Sequence, residues 1–419
     1  MNKEIEQRYL LAKEKYARVG VDTDLALKKL EDVAISVQCW QGDDIQGFIS
    51  DASLSGGIQV TGNYPGKARN LKELQMDIEK AFSLIPGKKR LNLHAIYVSS
   101  PLEGRDIDQL EVKDFQGWID WAKKENIGLD FNPTCFSHPM YKDNFTLASP
   151  DEEVRSFWVR HCKACVKIGD DIGRQLNDKC VTNIWIPDGM KDNPYSHLEA
   201  RERLMKSLDE ILATPYSKEN ELLAVESKFF GIGAESYTVG SSEFYLGYAI
   251  KNQIGICLDA GHFHPNEFIS DKISSALMFV PELLLHVSRP VYWDSDHVVI
   301  FDDELQRIAQ SLVRENALSR THIGLDFFDA TINRIASWVI GTRATQKALL
   351  KAFLEPKEEL LKIENDCNYT KRLMLTEELK AYPWGDVYNY FLESHGVKSD
   401  EDWYQDVEEY EKEVLSKRG

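Results

Sequence analysis

The chain has 419 residues, 43% of them hydrophobic, and a formal net charge of −18 from 50 basic and 68 acidic side chains. This length is enough for a large buried core, and it suits an α/β barrel with additions. The negative charge repels phosphate backbones and argues against nucleic acid as a partner. No apolar run approaches the roughly 18 residues of a membrane helix, and residues 1–16 lack the apolar core of a signal peptide, so we expect a cytoplasmic protein without a membrane partner.

The seven cysteines are scattered and odd in number, which indicates a reducing compartment rather than a disulfide framework. Cys162 and Cys165 form a C-x-x-C pattern inside a predicted helix, with no second pair nearby. We therefore expect these two thiols to pack in the core rather than to bind zinc or carry out redox chemistry.

The amino-terminal part of the chain predicts two helices within residues 3–31, broken near Gly20, because apolar residues recur at helical spacing. The first strand is predicted at 33–40. Residues 53–68 then form a long glycine-containing loop, a type of segment that is usually functional or disordered in compact domains.

From residue 70 onward, predicted helices alternate with short apolar runs of the kind that form buried parallel strands. These runs lie at 90–98, 128–133, 180–187, 222–226, 254–259, 283–287 and 322–326. With the first strand they make eight, so the sequence predicts an α/β fold, a (β/α)₈ TIM barrel with an N-terminal helical segment and a C-terminal helical extension.

Three regions follow from this division: flanking helices at 1–32, the catalytic barrel at 33–356 and a helical arm at 357–419. The arm is rich in aromatic residues, which is typical of a segment that packs on another subunit. A helical cap on its own barrel is an equally good interpretation of the pattern.

The last four predicted strands each end in, or carry, a side chain that can bind a metal. Because the carboxyl ends of parallel strands meet at one rim, we expect these groups to lie together. They are Glu226, Asp259, His286 and Asp326.

A second set of potential ligands follows two of these strands, namely His262, Asp294 and Asp296. Oxygen and nitrogen ligands without thiolates favour Mn²⁺, Mg²⁺ or Co²⁺ over structural zinc. Five carboxylates at one rim would repel one another strongly without cations. Any one of these residues alone could be a strand cap or part of a solvated turn, but four strand ends in succession predict a two-cation site.

Other side chains near the predicted rim are of types that bind a small polar substrate or take part in its chemistry. Lys228 is two residues after Glu226, and residues at this spacing in an extended chain point to the same side. Its ammonium is therefore expected either to stabilise a developing alkoxide or to form a simple salt bridge. His94 can act as an acid or base. Flat apolar walls for the C–H face of a sugar are expected from Trp40, Phe131 and Trp185.

Several motifs resemble those of the L-rhamnose isomerase family: E-S-K at 226–228, D-A-G-H-F-H-P at 259–265, W-D-S-D-H at 293–297 and G-L-D-F-F-D-A at 324–330. The stretches CWQGDD, GNYPGKARN, LNLHAIY and NIWIPDGMKD extend the resemblance along nearly the whole chain. Gln38 departs from the pattern, since some members have histidine there, and this bears on sugar preference.

The resemblance implies reversible conversion of L-rhamnose to L-rhamnulose, the first step of L-rhamnose catabolism, by a cytoplasmic homotetramer. It implies two Mn²⁺ per subunit, with Co²⁺ or Mg²⁺ as substitutes. Glu226, Asp259, His286 and Asp326 would hold a structural cation, while His262, Asp294 and Asp296 would hold a catalytic one.

For such an isomerase we expect a hydride shift between C1 and C2, with Asp326, or a water held by Asp294 or Asp296, moving the hydroxyl proton. His94 would assist ring opening, and Ile58 and Val60 would contact the C6 methyl group. An enediol route is the rival mechanism.

Four alternative functions remain. They are an isomerase of another L-sugar, a sugar epimerase, a metal-dependent barrel endonuclease, which would need a basic face, and a non-catalytic scaffold, which would have lost rim ligands.

Overall fold

The computed structural model describes residues 2–49, 54, 59–229 and 236–418. The chain begins with α1 (Lys3–Ala17) and α2 (Thr23–Asp32), as predicted. Between them Gly20 has a φ of 78°, a left-handed conformation that glycine adopts without a steric penalty and that commonly ends a helix.

The centre of the fold is a closed barrel, in which the described residues form eight parallel strands and each strand pairs with its neighbours in sequence. The first and last strands also pair, with Ile35 beside Ile323, which closes the ring. The TIM-barrel prediction is therefore confirmed. The strands are β1 (Ile35–Gln38), β2 (Lys89–His94), β3 (Gly128–Asn132), β4 (Cys180–Ile184), β5 (Glu221–Glu226), β6 (Gly255–Asp259), β7 (Leu283–Val287) and β8 (Thr321–Leu325).

The strand bounds differ from the predicted ones mainly at the carboxyl ends. The run at 90–98 continues past β2, but the chain turns at His94, where the N–H of Tyr97 donates to the His94 carbonyl at 3.0 Å. An apolar run alone does not reveal such a turn. The short antiparallel pair of Gly189–Met190 with Tyr237–Thr238 was also not predicted, because two residues carry no periodicity.

A layer of helices surrounds the barrel, and the main hydrophobic core lies between helices and strands. In α9 (Asp303–Arg314) the buried residues Leu305, Ile308, Ala309 and Leu312 form a stripe at helical spacing. The helices of this layer are α3 (Leu71–Ser83), α4 (Gln116–Glu125), α5 (Glu152–Leu176), α6 (His197–Leu212), α7 (Ser242–Asn252), α8 (Ser270–Leu277), α9 (Asp303–Arg314) and α10 (Arg334–Phe353).

The C-terminal segment contains α11 (Lys357–Asn365), α12 (Tyr369–Lys380), α13 (Trp384–Ser394) and α14 (Trp403–Glu413). Much of it packs on its own barrel. Tyr390 of α13 stacks on Tyr9 of α1, with ring centroids 3.8 Å apart. Arg418 forms a buried ion pair with Asp77 of α3 at 2.6 Å. Tyr390 of α13 thus packs on the chain's own helix α1, whereas α11 and α12 have exposed side chains at Leu361, Tyr369, Leu373 and Met374.

A cavity of about 1400 Å³ lies at the amino-terminal face of the barrel and is bordered by α11 and α12. Arg90 and Asp130 line it and form an ion pair at 2.8 Å across the barrel floor. This face is opposite to the predicted ligands, and in TIM barrels it serves stability rather than catalysis. Among the helices that the structure describes, none has the length and apolar character needed to span a membrane.

Candidate metal centre

The four ligands predicted at the strand ends come together at the carboxyl-terminal rim. Glu226 and Asp259 are the last residues of β5 and β6, His286 lies in β7, and Asp326 directly follows β8. One ligand atom from each lies within 4.8 Å of the others. Nδ1 of His286 is 3.2 Å from Oε2 of Glu226 and 3.2 Å from Oδ2 of Asp326, so the four groups surround a space of the size of a metal ion.

The second predicted set is adjacent and shares a carboxylate with the first. Asp259, His262 and Asp294 offer ligand atoms within 4.8 Å of one another. Nε2 of His262 lies 3.3 Å from Oδ2 of Asp294, while its Nδ1 lies 2.9 Å from Oε1 of Glu226. Asp296 lines the same pocket but is not part of this compact group.

The polar atoms of these residues are incompletely satisfied by the described part of the protein. Buried atoms without a hydrogen-bond partner include Oδ2 of Asp259, Oδ1 of Asp294, Nδ1 of His262 and both ring nitrogens of His286. Such groups are costly to bury unless something binds them. The donor set of carboxylate oxygens and imidazole nitrogens suits a divalent cation, so the residues fit a metal site.

The electrostatics of the rim also favour added positive charge. Burial raises the pKa of Asp296, and the nearby carboxylates of Asp294 and Asp326 raise it further, well above its usual range. Burial lowers the pKa of His286, but the negative charges beside it, including Glu226 and Asp326, outweigh this and leave the pKa above its usual range. Protons thus offset the clustered carboxylates, a role that bound cations would take over.

Lys228 lies beside the second set of ligands. Its side chain is 11% exposed and forms an ion pair with Asp294. Nζ also lies 3.3 Å from Nε2 of His262. Burial lowers the pKa of this ammonium, but Asp294 raises it by more, so Lys228 stays charged.

Aromatic side chains form the walls of the pocket, and two of the three predicted walls are among them. Trp40 and Trp185 line it, and Nε1 of Trp40 donates to Oδ1 of Asp326 at 3.2 Å. His94 lies between Trp40 and Phe136, at ring distances of 4.8 and 5.4 Å. Burial lowers the pKa of His94 to about 4, so the imidazole is neutral near pH 7 and keeps an unprotonated ring nitrogen.

Phe131 does not reach the pocket, which corrects its predicted role as a wall. Its ring is fully buried against Phe115, at a centroid distance of 4.9 Å, in the layer between barrel and helices. Neighbouring residues in a strand point to opposite faces, and the next residue, Asn132, is the one that lines the pocket.

Of the two predicted contacts for the C6 methyl group, the structure describes only Val60. Ile58 lies outside the described residues. Val60 is half-buried and does not line the pocket.

Several residues of the pocket were not predicted from the sequence. Asn183 donates a hydrogen bond from Nδ2 to Glu226 and so orients a ligand. At Gly261 an added Cβ would lie 2.2 Å from Oδ1 of Asp294, so only glycine allows this approach. Apolar lining comes from Ile45, Phe136 and Phe328. Asn183 sits where the β4 pattern places an inward residue, whereas the loop residue Ile45 gives no periodic signal.

Comparisons with known proteins add a family to this geometry. The family model described as L-rhamnose isomerase (RhaA) matches residues 3–418. A protein of Listeria innocua named L-rhamnose isomerase is 57% identical over 416 residues, which is 99% of each chain. A protein of Salmonella paratyphi B with the same name is 55% identical over 419 residues, which is 100% of each chain. Among solved structures, the chain is similar to the IOLI protein with a bound zinc atom, with 12% identity, a TM-score of 0.48, and coverage of 76% of this chain and 99% of that one.

Proposed function

The chain belongs to the L-rhamnose isomerase family, an aldose–ketose isomerase family that interconverts L-rhamnose and L-rhamnulose, and we propose that its reaction takes place in the pocket at the carboxyl-terminal rim. The observation that carries this assignment to the pocket is the pair of adjacent ligand groups, with Asp259 in both. No other part of a TIM barrel is as regularly used for catalysis.

Two divalent cations per subunit would occupy these groups, with Mn²⁺ as the resident ion and Co²⁺ or Mg²⁺ as substitutes. Glu226, Asp259, His286 and Asp326 would hold the first. His262 and Asp294, with Asp296 from the same pocket, would hold the second. Measuring bound manganese in purified protein by atomic emission tests both the identity and the count, and one ion per subunit would contradict the proposal.

The open-chain sugar would lie along the aromatic walls, with the oxygens on C1 and C2 beside the metal ligands. Trp185 lines the pocket, and its buried Nε1–H has no partner among the described residues, so it can donate to a sugar hydroxyl. Ile45, Phe136 and Phe328 form an apolar region suited to the C6 methyl group. The loop that carries Ile58 and Val60 remains our predicted lid over this end.

The reaction moves a hydrogen and its electron pair from C2 to C1, and a proton from the C2 hydroxyl to the C1 oxygen. Divalent cations held by the rim ligands would supply Lewis acidity, which would polarise the C1 carbonyl and favour the C2 alkoxide. The ammonium of Lys228 stabilises the negative charge that develops on oxygen. Asp326 accepts the proton of the C2 hydroxyl and returns it to the C1 oxygen, and neutral His94 assists ring opening by accepting a hydrogen bond from a sugar hydroxyl.

An isotope experiment separates this hydride shift from an enediol route. The protein converts L-rhamnose in D₂O, and the L-rhamnulose is analysed by proton NMR for deuterium at C1. A hydride shift leaves C1 free of solvent deuterium, because the hydrogen never leaves the carbon skeleton. Substantial incorporation would contradict the hydride shift while leaving the isomerase assignment intact.

We further propose a cytoplasmic homotetramer in which the face of α11 and α12 contacts another subunit. The exposed side chains of Leu361, Leu373 and Met374 support a protein partner on this face. Sedimentation of the purified protein tests the assembly, and a monomer at micromolar concentration would contradict it.

Discrimination between sugars by one methyl group is worth only about 1–3 kcal/mol, so related L-sugars should also react slowly.

A further inference from the structure

The thiol of Cys257 lies inside the barrel, next to the first group of ligands and toward the amino-terminal ends of the strands. Cys257 is two residues before Asp259 in β6, so both side chains point into the barrel, roughly 7 Å apart along the strand. Glu226 pairs with Cys257 across the β5–β6 ladder. The thiol is 1% exposed, and it is in contact with apolar residues of the barrel interior.

This thiol and two of the rim ligands form a third compact group. Sγ of Cys257, a carboxylate oxygen of Glu226 and a ring nitrogen of His286 all lie within 4.8 Å of one another. His286 is 3% exposed, and its Nδ1 lies 3.2 Å from Oε2 of Glu226. Once the ring has lost its extra proton, one of its nitrogens can serve as a ligand.

The chemistry of the group differs from that of the rim. Mn²⁺ and Mg²⁺ prefer oxygen and nitrogen donors, whereas thiolate selects softer ions such as Zn²⁺. A carboxylate, a thiolate and a neutral imidazole together carry two negative charges, so they neutralise a divalent ion fully. Neutrality matters in the barrel interior, because an uncompensated charge is costly there.

We propose that Cys257, Glu226 and His286 form an inhibitory site for thiophilic divalent cations such as Zn²⁺ and Cd²⁺. On binding, the Cys257 thiol and the protonated ring of His286 each release a proton to solvent, and the sulfur and a ring nitrogen form bonds to the cation, with no change in oxidation state. Three protein ligands leave a fourth position for water, as in other three-ligand zinc sites.

Inhibition follows because the new site takes two residues from the first group. A cation held by Cys257 engages Glu226 and His286, and these can no longer complete the set with Asp259 and Asp326. This step rests on the proposed role of that set, whereas the thiolate site itself does not. Excess Mn²⁺ competes for the two shared ligands but does not replace the sulfur.

Direct binding is tested by the ultraviolet charge-transfer absorption of a Cd²⁺–thiolate bond in EDTA-treated full-length protein. Cys367 is exposed, so Cys367→Ser is the parent for all variants. The parent is expected to show a Cd²⁺-dependent band from one site per chain, which Cys257→Ser and Cys257→Ala both lose. Cys180→Ser is the matched control, because that buried thiol belongs to none of the ligand groups, and it should keep the band.

Inhibition is then measured in Mn²⁺-loaded protein as the Cd²⁺ or Zn²⁺ concentration that halves each variant's own rate. Loss of the sulfur ligand should raise this concentration by about tenfold or more, since even the loss of outer partners costs metal sites 10–100-fold in affinity. An equal band, or equal inhibition, in the parent and the Cys257 variants would overturn the proposal. A Cys257-dependent band in protein that never forms ketose would support the thiolate site and refute the isomerase role of the rim.

Discussion

Nδ1 of His262 lies 2.9 Å from Oε1 of Glu226, so the two predicted sets of ligands are in direct contact. A cation in either set therefore changes the electrostatic environment of the other. A substitution at a residue that belongs to only one set, such as Asp294, can still weaken that set while the ligands of the other stay in place.

Asp294→Asn should remove most of the second cation while the first remains. Asp294 pairs with Lys228 and His262 but is not one of the four groups at the strand ends. Bound manganese should fall from two ions to about one, and kcat should fall on the order of 100-fold or more, because charge stabilisation at the reacting oxygens is lost. Asp271→Asn, an exposed carboxylate in the first turn of α8, is the control. Two bound ions and a normal rate in Asp294→Asn would show that this carboxylate is not a ligand.

Lys228→Met distinguishes a catalytic ammonium from a plain salt bridge. If the ammonium stabilises developing charge, kcat should fall by roughly 10²–10³-fold at saturating Mn²⁺ with a smaller change in KM. Lys228→Arg keeps the positive charge and should recover part of the rate. A wild-type kcat with only weakened Mn²⁺ affinity would assign Lys228 to the ion pair with Asp294 alone.

Ile45→Ser should reduce the preference for a methyl group at C6. Ile45 is 3% exposed and lines the pocket, although its φ of 61° is unfavourable for a β-branched side chain. The ratio of kcat/KM for L-rhamnose to that for L-mannose, which has a hydroxyl at C6, should fall about tenfold. Val60→Ser, from the predicted lid, is the comparison variant, because Val60 does not line the pocket. An unchanged ratio in Ile45→Ser would place the methyl group elsewhere.

His161 makes stability depend on pH in a defined direction. The N–H of Thr134 donates to its Nε2 at 3.0 Å, so the ring proton is on Nδ1 and is donated to the Ile107 carbonyl at 2.8 Å. Burial lowers the pKa of His161 from 6.5 to about 4. Between these values the unfolded chain binds the proton and the folded one does not, so the unfolding free energy falls as pH drops from 6.5 to 4, by about 3 kcal/mol at most.

Urea unfolding across this pH range tests the assignment. His161→Gln should be less stable at neutral pH but should lose this part of the acid sensitivity. His197→Gln removes an exposed histidine and should keep the wild-type slope. A slope in His161→Gln equal to that of the wild type would assign the acid sensitivity to other groups.

Most of the barrel could be predicted because parallel strands buried on both faces leave continuous apolar runs. The rim ligands could be predicted for a related reason, since Glu226 and Asp259 end such runs and strand ends of a barrel converge. Phe131 shows the limit of this reasoning. Residues 131 and 132 cannot both face the pocket, and only the register of β3 shows that Asn132 does.

Features that depend on loops or on packing between distant segments could not be predicted from sequence patterns. Ile45 enters the pocket through a left-handed turn, and Gly261 matters only because Asp294 approaches it from a loop more than 30 residues later in the chain. The aromatic residues of α13 predict an interface but do not reveal its partner. In the structure Tyr390 packs on Tyr9 of the same chain.

The most direct test of the account is ketose formation from L-rhamnose by EDTA-stripped protein before and after addition of Mn²⁺. We expect no L-rhamnulose from the stripped protein and full recovery with Mn²⁺, together with a higher melting temperature, because the cation binds the folded state. Folded protein that forms ketose at an equal rate with and without the cation would contradict the central role of the two ligand sets.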